Sequence, residues 1–216
     1  MRYSDYSTGT DVTTDVTGTG WTTPAIAVRG YCYIRLEVTP LSAVAADATF
    51  PALVTATSTG DATEKDAVNA VTTCGLARRP DGVIHNGTTF IGDDVFNTSG
   101  VGQTHSRIAR QNTVAAYLSR FYNDGNAADS IRISGRAGNW AWRLKYTDYA
   151  TGTDITSAVT GAGWTTPSLA ARGYHAVRLE VTPLAGAAGN STLAVLLTGT
   201  SVADASKRDA VRADTA

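Results

Sequence analysis

The sequence predicts an all-β chain, an antiparallel β-sandwich repeated in line. Three observations predict it. The chain holds 33 Thr and 21 Gly but only three Lys and three Glu. Thr suits a pleated, half-exposed surface, whereas Glu and Lys build solvent-facing helices. Apolar and polar residues alternate over short runs, punctuated by Gly, Asn, Asp and Pro. Residues 3–73 also align without a gap on residues 146–216, with 40 identities in 71 positions. The tandem repeat thus has a period of about 143 residues, the size of a whole domain.

Composition narrows the function classes. With 18 basic and 19 acidic side chains the formal charge is −1, against the basic stripe that nucleic acid requires. At 43% hydrophobic and 17% charged, the chain has the apolar mass for a core. No run of about 18 apolar residues is present, so membrane insertion is not expected. The opening Met1-Arg2-Tyr3-Ser4-Asp5-Tyr6 has no apolar h-region, which reads as no signal peptide in this chain.

Taken in order, the repeat divides the chain into the back half of one unit (1–73), a short junction (74–79) and a complete unit (80–216). In the first copy Cys32, Ile34, Leu36 and Val38 face inward while Tyr33, Arg35 and Glu37 face out, and Pro40 ends the strand. Strands follow at 81–85, 106–110, 114–122, 130–134 and 140–146. Asn123-Asp124-Gly125-Asn126 marks a turn, since Asn and Gly tolerate positive φ. Trp140 and Trp142, two apart on one strand, share a face with Leu144 and Tyr146 and read as core. The second copy repeats the inward pattern at Val177, Leu179 and Val181 before Pro183, then continues with strands at 193–201 and 209–213. Seven to nine short strands indicate a sandwich.

The run Tyr122-Asn123-Asp124-Gly125 with residues 128–135 resembles the middle strands of immunoglobulin-like domains in bacterial surface proteins. Residues 169–173, 177–183, Gly189 and 198–201 are similar to that family's closing strands. The nearest relatives by this resemblance are CARDB-type cell-adhesion domains and Ig-like domains appended to secreted glycosidases. The resemblance implies an immunoglobulin-like sandwich in tandem arrays, extracellular or at the cell surface. Its motifs are turns and strand ends, so it implies no activity.

Candidate chemistry is sparse. His85, His105 and His175 lack metal-ligand spacing and a nucleophile partner, so ordinary packing outweighs catalysis, and no cofactor or enzyme activity is expected. Asp93, Asp94 and Asp124 lie in acidic loops that offer Ca²⁺ oxygen ligands but miss the spacing that makes the signal specific. Turn chemistry is the stronger reading. Trp21 and Trp164, each preceding Thr-Thr-Pro, are candidate ligand or interface aromatics against a core role. Cys32 and Cys74 are a candidate disulfide, equally readable as two thiols.

The decisive feature is the two-to-one ratio of back halves to front halves. Residues 1–73 carry an apolar face (Ile34, Leu36, Val38, Leu53) and strand edges with nothing opposite, features that drive association. A preceding segment or another chain completes them. The expected role is a structural repeat, a spacer or filament unit that associates with itself or with neighbouring units. A carbohydrate-binding or calcium-dependent adhesion module, with polysaccharide as partner, is the alternative.

Overall fold

The computed structural model describes residues 1–216, which divide into two compact units, Met1–Cys74 and Gly75–Ala216. The first contains β1 (Arg2–Asp5), a helical turn α1 (Thr13–Thr17), β2 (Ile34–Glu37), β3 (Thr49–Thr57) and β4 (Lys65–Thr73). β1 pairs antiparallel with β2, and β3 with β4, giving two separate two-stranded sheets. Its buried apolar side chains are Tyr3, Val12, Ala52 and Cys74.

The second unit opens with β5 (Pro80–His85), β6 (Phe90–Ile91), β7 (Thr104–Arg107), β8 (Ala115–Asn123) and β9 (Ile131–Gly135). There follow β10 (Trp142–Asp148), α2 (Thr156–Thr160), β11 (Trp164–Thr165), β12 (Tyr174–Pro183), β13 (Leu193–Ser201) and β14 (Arg208–Thr215). One five-stranded sheet runs β10-β12-β8-β5-β6 and the other β11-β9-β13-β14-β7. Every pairing is antiparallel except β14 with β7, which is parallel. Period-2 alternation sends Tyr117 and Phe121 from the first sheet, and Ile131, Ile133, Val195, Leu197 and Val211 from the second, into one shared core. Buried hydroxyls find partners: Tyr117 donates to Asp214 O at 2.6 Å, Tyr146 to Arg136 O at 2.8 Å.

Three local expectations change. The strand expected at 140–146 starts only at Trp142. The Asn139 side chain accepts the N–H groups of Ala141 and Trp142, and this turn throws Trp140 out to 78% exposure. Its ring lies over Gly186, where an added Cβ would overlap Trp140 Cζ3. The strand expected at 106–110 lies earlier, as β7. Residues 75–79, within the short junction expected at 74–79, are held by side chains of the second unit. Asn126 accepts the Ala77 N–H and donates to Gly75 O, while Arg78 reaches the Ala127 and Ala128 carbonyls.

The helical turns α1 and α2 are the third. They occupy equivalent places in the two copies, each begun by an Asp whose Oδ1 accepts a Thr N–H at 2.9 Å (Asp11 to Thr13, Asp154 to Thr156). Each stops at a glycine, Gly18 or Gly161.

Candidate interaction surface

The alternating inward residues of the two copies meet different surroundings. Val177, Leu179 and Val181 are fully buried, whereas Ile34, Leu36 and Val38 are half-exposed. Leu193 is 6% exposed and its counterpart Phe50 is 47%; Val211 is 0% and Val68 is 66%. Burial at roughly 25 cal/mol per Å² is therefore realised in one copy and forgone in the other. The outward residues behave alike, Arg35 pairing with Glu37 at 2.7 Å and Arg178 with Glu180 at 2.8 Å.

Leu53 does not belong to this face. It corresponds to Leu196, on the outer side of β13, because Phe50, Ala52 and Val54 match the inward Leu193, Val195 and Leu197. Leu53 is exposed on the opposite side, and the inward residues of the β3–β4 hairpin are Phe50, Ala52, Val54 and Val68.

Strand edges follow the same division. In the second unit β12 is flanked by β8, β13 by β9, and β14 by β7. In the first, β2, β3 and β4 have no strand on the corresponding sides. Trp21 shows the consequence. Its counterpart Trp164 forms β11 by pairing with Ile133, and its ring packs on the core and 5.2 Å from His175. Trp21, with no such partner strand, lies outside any ladder, also half-buried. Neither indole is a flat exposed platform.

A buried carboxylate marks the interior end of this face. Asp209 is fully buried and accepts three hydrogen bonds: from Gly82 N at 2.6 Å, Asn97 N at 2.8 Å and Gln103 Nε2 at 2.8 Å. Its counterpart Asp66 is exposed and accepts the N–H of Ala67 beside it.

The two acidic loops converge on a residue that sequence reasoning missed. Asp81 on β5 is buried, and that burial pushes its carboxyl up to about 7 against the Asp94 N–H, helped by the charges of Asp124, Asp209 and Asp93. Burial and the charge of Asp94 also raise Asp124. Asp81 Oδ1 and Gln103 Oε1 are buried without a hydrogen-bond partner. No three His, Cys, Asp or Glu side chains converge as a metal-ligand set.

Cys32 and Cys74 are not joined by a disulfide. Cys74 Sγ points to the Val44 carbonyl at 3.8 Å and Cys32 to that of Tyr33, so the two belong to different local structures. His175 Nε2 lies 2.7 Å from Asp148 Oδ1, the one close His–carboxylate pair. Although burial opposes it, hydrogen bonds from His175, Thr151 and Ala150 hold the Asp148 carboxyl below its usual value. The pair has no nucleophile. Asp5 holds the same turn through Ser7, with Cys32 in the histidine's place, so this is turn structure. His85 packs on Phe90 and His105 on Tyr117. A groove of about 400 Å³ on the outer face of β9, β13 and β14 is shallow and lined by Ser134, Arg136, Thr198 and Arg212 among others. No helix is long and apolar enough to cross a membrane.

No protein-family model and no curated protein matches the chain. Among solved structures it is similar to the ASH/PapD-like domain 7 of human CEP192, at 8% identity over 62% of this chain and 83% of that one, with a TM-score of 0.34. It is also similar to the N-terminal domain of PorA, at 10% identity over 62% and 95%, with a TM-score of 0.33. The strand order itself defines the class: an all-β, immunoglobulin-like sandwich module.

Proposed function

We propose that the chain is an extracellular structural repeat protein, a spacer or filament-forming unit of a surface or secreted assembly, and not an enzyme. One observation carries this reading. A closed sandwich is joined in one polypeptide to a second copy of its own back half, whose inward face and strand edges are open to a neighbour. Open edges and apolar faces of this kind are what associating β-proteins use, and a contact that does not close on itself propagates into a line. Neighbouring repeat units are the partners this implies, as the CARDB-like resemblance also does. Electron microscopy of the native assembly tests it. Linear arrays that contain this chain are expected there, and native material holding the chain only as isolated monomers overturns it.

The carbohydrate-binding alternative is favoured by one feature, the exposed Trp140 ring laid over Gly186. Polysaccharide titration followed by tryptophan fluorescence tests it, with Trp140→Ala expected to abolish any quenching.

A further inference from the structure

We infer that residues 1–74 bind an extended segment with the strand pattern of residues 75–145, supplied from outside residues 1–216. In this pairing Asp66 fixes the register, and a side chain smaller than phenylalanine lies against Ala56. The inference deepens the structural reading above and rests on it.

The repeat supplies the docking geometry. Ser119, Leu118, Tyr117 and Ala116 stand opposite Val177, Arg178, Leu179 and Glu180; in the earlier copy those four positions are Ile34, Arg35, Leu36 and Glu37 of β2. Gly135 to Ile131 stand opposite Leu197 to Ser201, which places the equivalent strand along Val54–Ser58. Thr104–Arg107 run parallel to Arg212–Thr215, which places the next along Asn69–Thr72. Each is an edge with no strand on it. Asp66 then stands where two backbone N–H groups and a glutamine amide converge on Asp209.

A second copy of this chain does not satisfy that surface. Each copy has one front half for two back halves, and its own 146–216 already occupies it. Stacking two 1–74 faces together would cover the apolar residues but bury two Asp66 carboxylates with no donors, which is costly. The sequence differences between the copies exclude it again. At Gly199 a Cβ would come within 2.5 Å of Phe121 Cδ1, and at Gly186 it would overlap the Trp140 ring. Residues 1–74 carry Ala56 and Ala43 at those two places. Ala56 therefore rejects the buried Phe121 ring of this chain's front half, the exposed Trp140 ring being free to turn away from Ala43, and selects a segment with a smaller residue there, specificity by exclusion.

The test titrates the full chain with two polypeptides spanning residues 75–145, one native and one carrying Phe121→Leu and Trp140→Ala. Calorimetry gives affinity and hydrogen exchange gives location. The substituted segment is expected to slow exchange at 34–37, 54–58 and 69–72 and to bind at least about tenfold tighter than the native one. Asp66→Ala in the full chain is expected to weaken it by about tenfold or more with residues 75–216 unaffected. Slowing with neither segment, indifference to Asp66→Ala, or protection of the face in the chain alone as concentration rises would each overturn the inference. If the added segments aggregate, the substituted one is fused so that residue 145 precedes Tyr3 as it precedes Tyr146. The unfolding transition of residues 1–74 must then rise, and an unchanged transition overturns the inference. Protection without linear assemblies in the microscope would refute only the spacer reading, and assemblies with an unprotected face only this one.

Discussion

Val68 and Val211 occupy the same place in two copies of one sequence, yet the first is two-thirds exposed and the second is sealed. The same holds for Leu36 against Leu179 and Asp66 against Asp209. What the copies share is local: the α1 and α2 turns, the Asp-held turns at Asp5 and Asp148, the hairpin register and the outward Arg–Glu pair. What differs is everything that needs strands β5 to β9. Sequence identity between the copies sets conformation, and burial is supplied from elsewhere in the chain. In energetic terms the second unit's back half gains most of its stability from non-local contacts.

The sharpest way to break this contrast is paired substitution. Leu179→Ala is expected to cost about 2–5 kcal/mol, the range for a fully buried leucine, and Leu36→Ala distinctly less. Asp209→Ala strands two buried donors and a half-buried one and is expected to cost about 3 kcal/mol, against roughly 0.5 kcal/mol or less for the exposed Asp66→Ala in the chain alone. Urea denaturation with a probe in each unit reads both. Equal losses in the two copies would mean that the open face is already covered.

A second difference is pH dependence, which only the second unit has from this source, since no counterpart of Asp81 exists in residues 1–74. Its carboxyl is raised in the folded state to about 7 from an unfolded value near 3.8. Its stabilising contribution is therefore fully present below about pH 4, declines as pH rises through 7, and is level above. A rise of that size corresponds to on the order of 2–4 kcal/mol. Asp93, Asp94, Asp124 and Asp209 face it, with Arg79 pairing with Asp94 at 3.3 Å. Stability of the second unit is expected to be higher at pH 4.5 than at pH 8, and Asp81→Asn to flatten that profile. A profile that Asp81→Asn leaves unchanged would refute the assignment.

Much of the fold is legible in the sequence, and the reasons for the misses are physical. Strands at 174–183 and 193–201 alternate cleanly because one face is core. Leu53 falls on that face only when apolar character is read without parity against Leu196. A core place for Trp140 assumes an extended backbone through a two-residue spacing, and the Asn139 turn breaks it. The candidate Asp93, Asp94 and Asp124 are visible as loops, but Asp81 is not. It opens the strand read at 81–85, and nothing local says that three acidic segments meet there. The imbalance of halves is visible from the alignment alone.

Exchange of the small residues between copies gives a smaller effect. Gly199→Ala pushes a methyl into Phe121 and is expected to cost about 1–3 kcal/mol through overpacking. Ala56→Gly meets nothing comparable and is expected to cost no more than about 1 kcal/mol, the effect of added backbone freedom in a strand. Thermal unfolding of the two single variants distinguishes them.

The smallest effect is the one the copies should share. Asp11 and Asp154 each accept a threonine N–H at the start of a helical turn. The side chain and then the N–H of that threonine lower both carboxyls, Asp11 to about 2 with Arg2 contributing further. Neither bond involves strands β5 to β9. Asp11→Ala and Asp154→Ala are therefore both expected to lower the melting temperature of their own unit slightly and about equally, as for loss of one side-chain-to-backbone turn bond. The Asp11 variant should exceed the other only through its exposed pair with Arg2 at 2.9 Å, and added salt should remove that excess. A large loss at Asp154 with none at Asp11 would show that even the turns depend on the closed sandwich, and that the two copies differ in conformation as well as in cover.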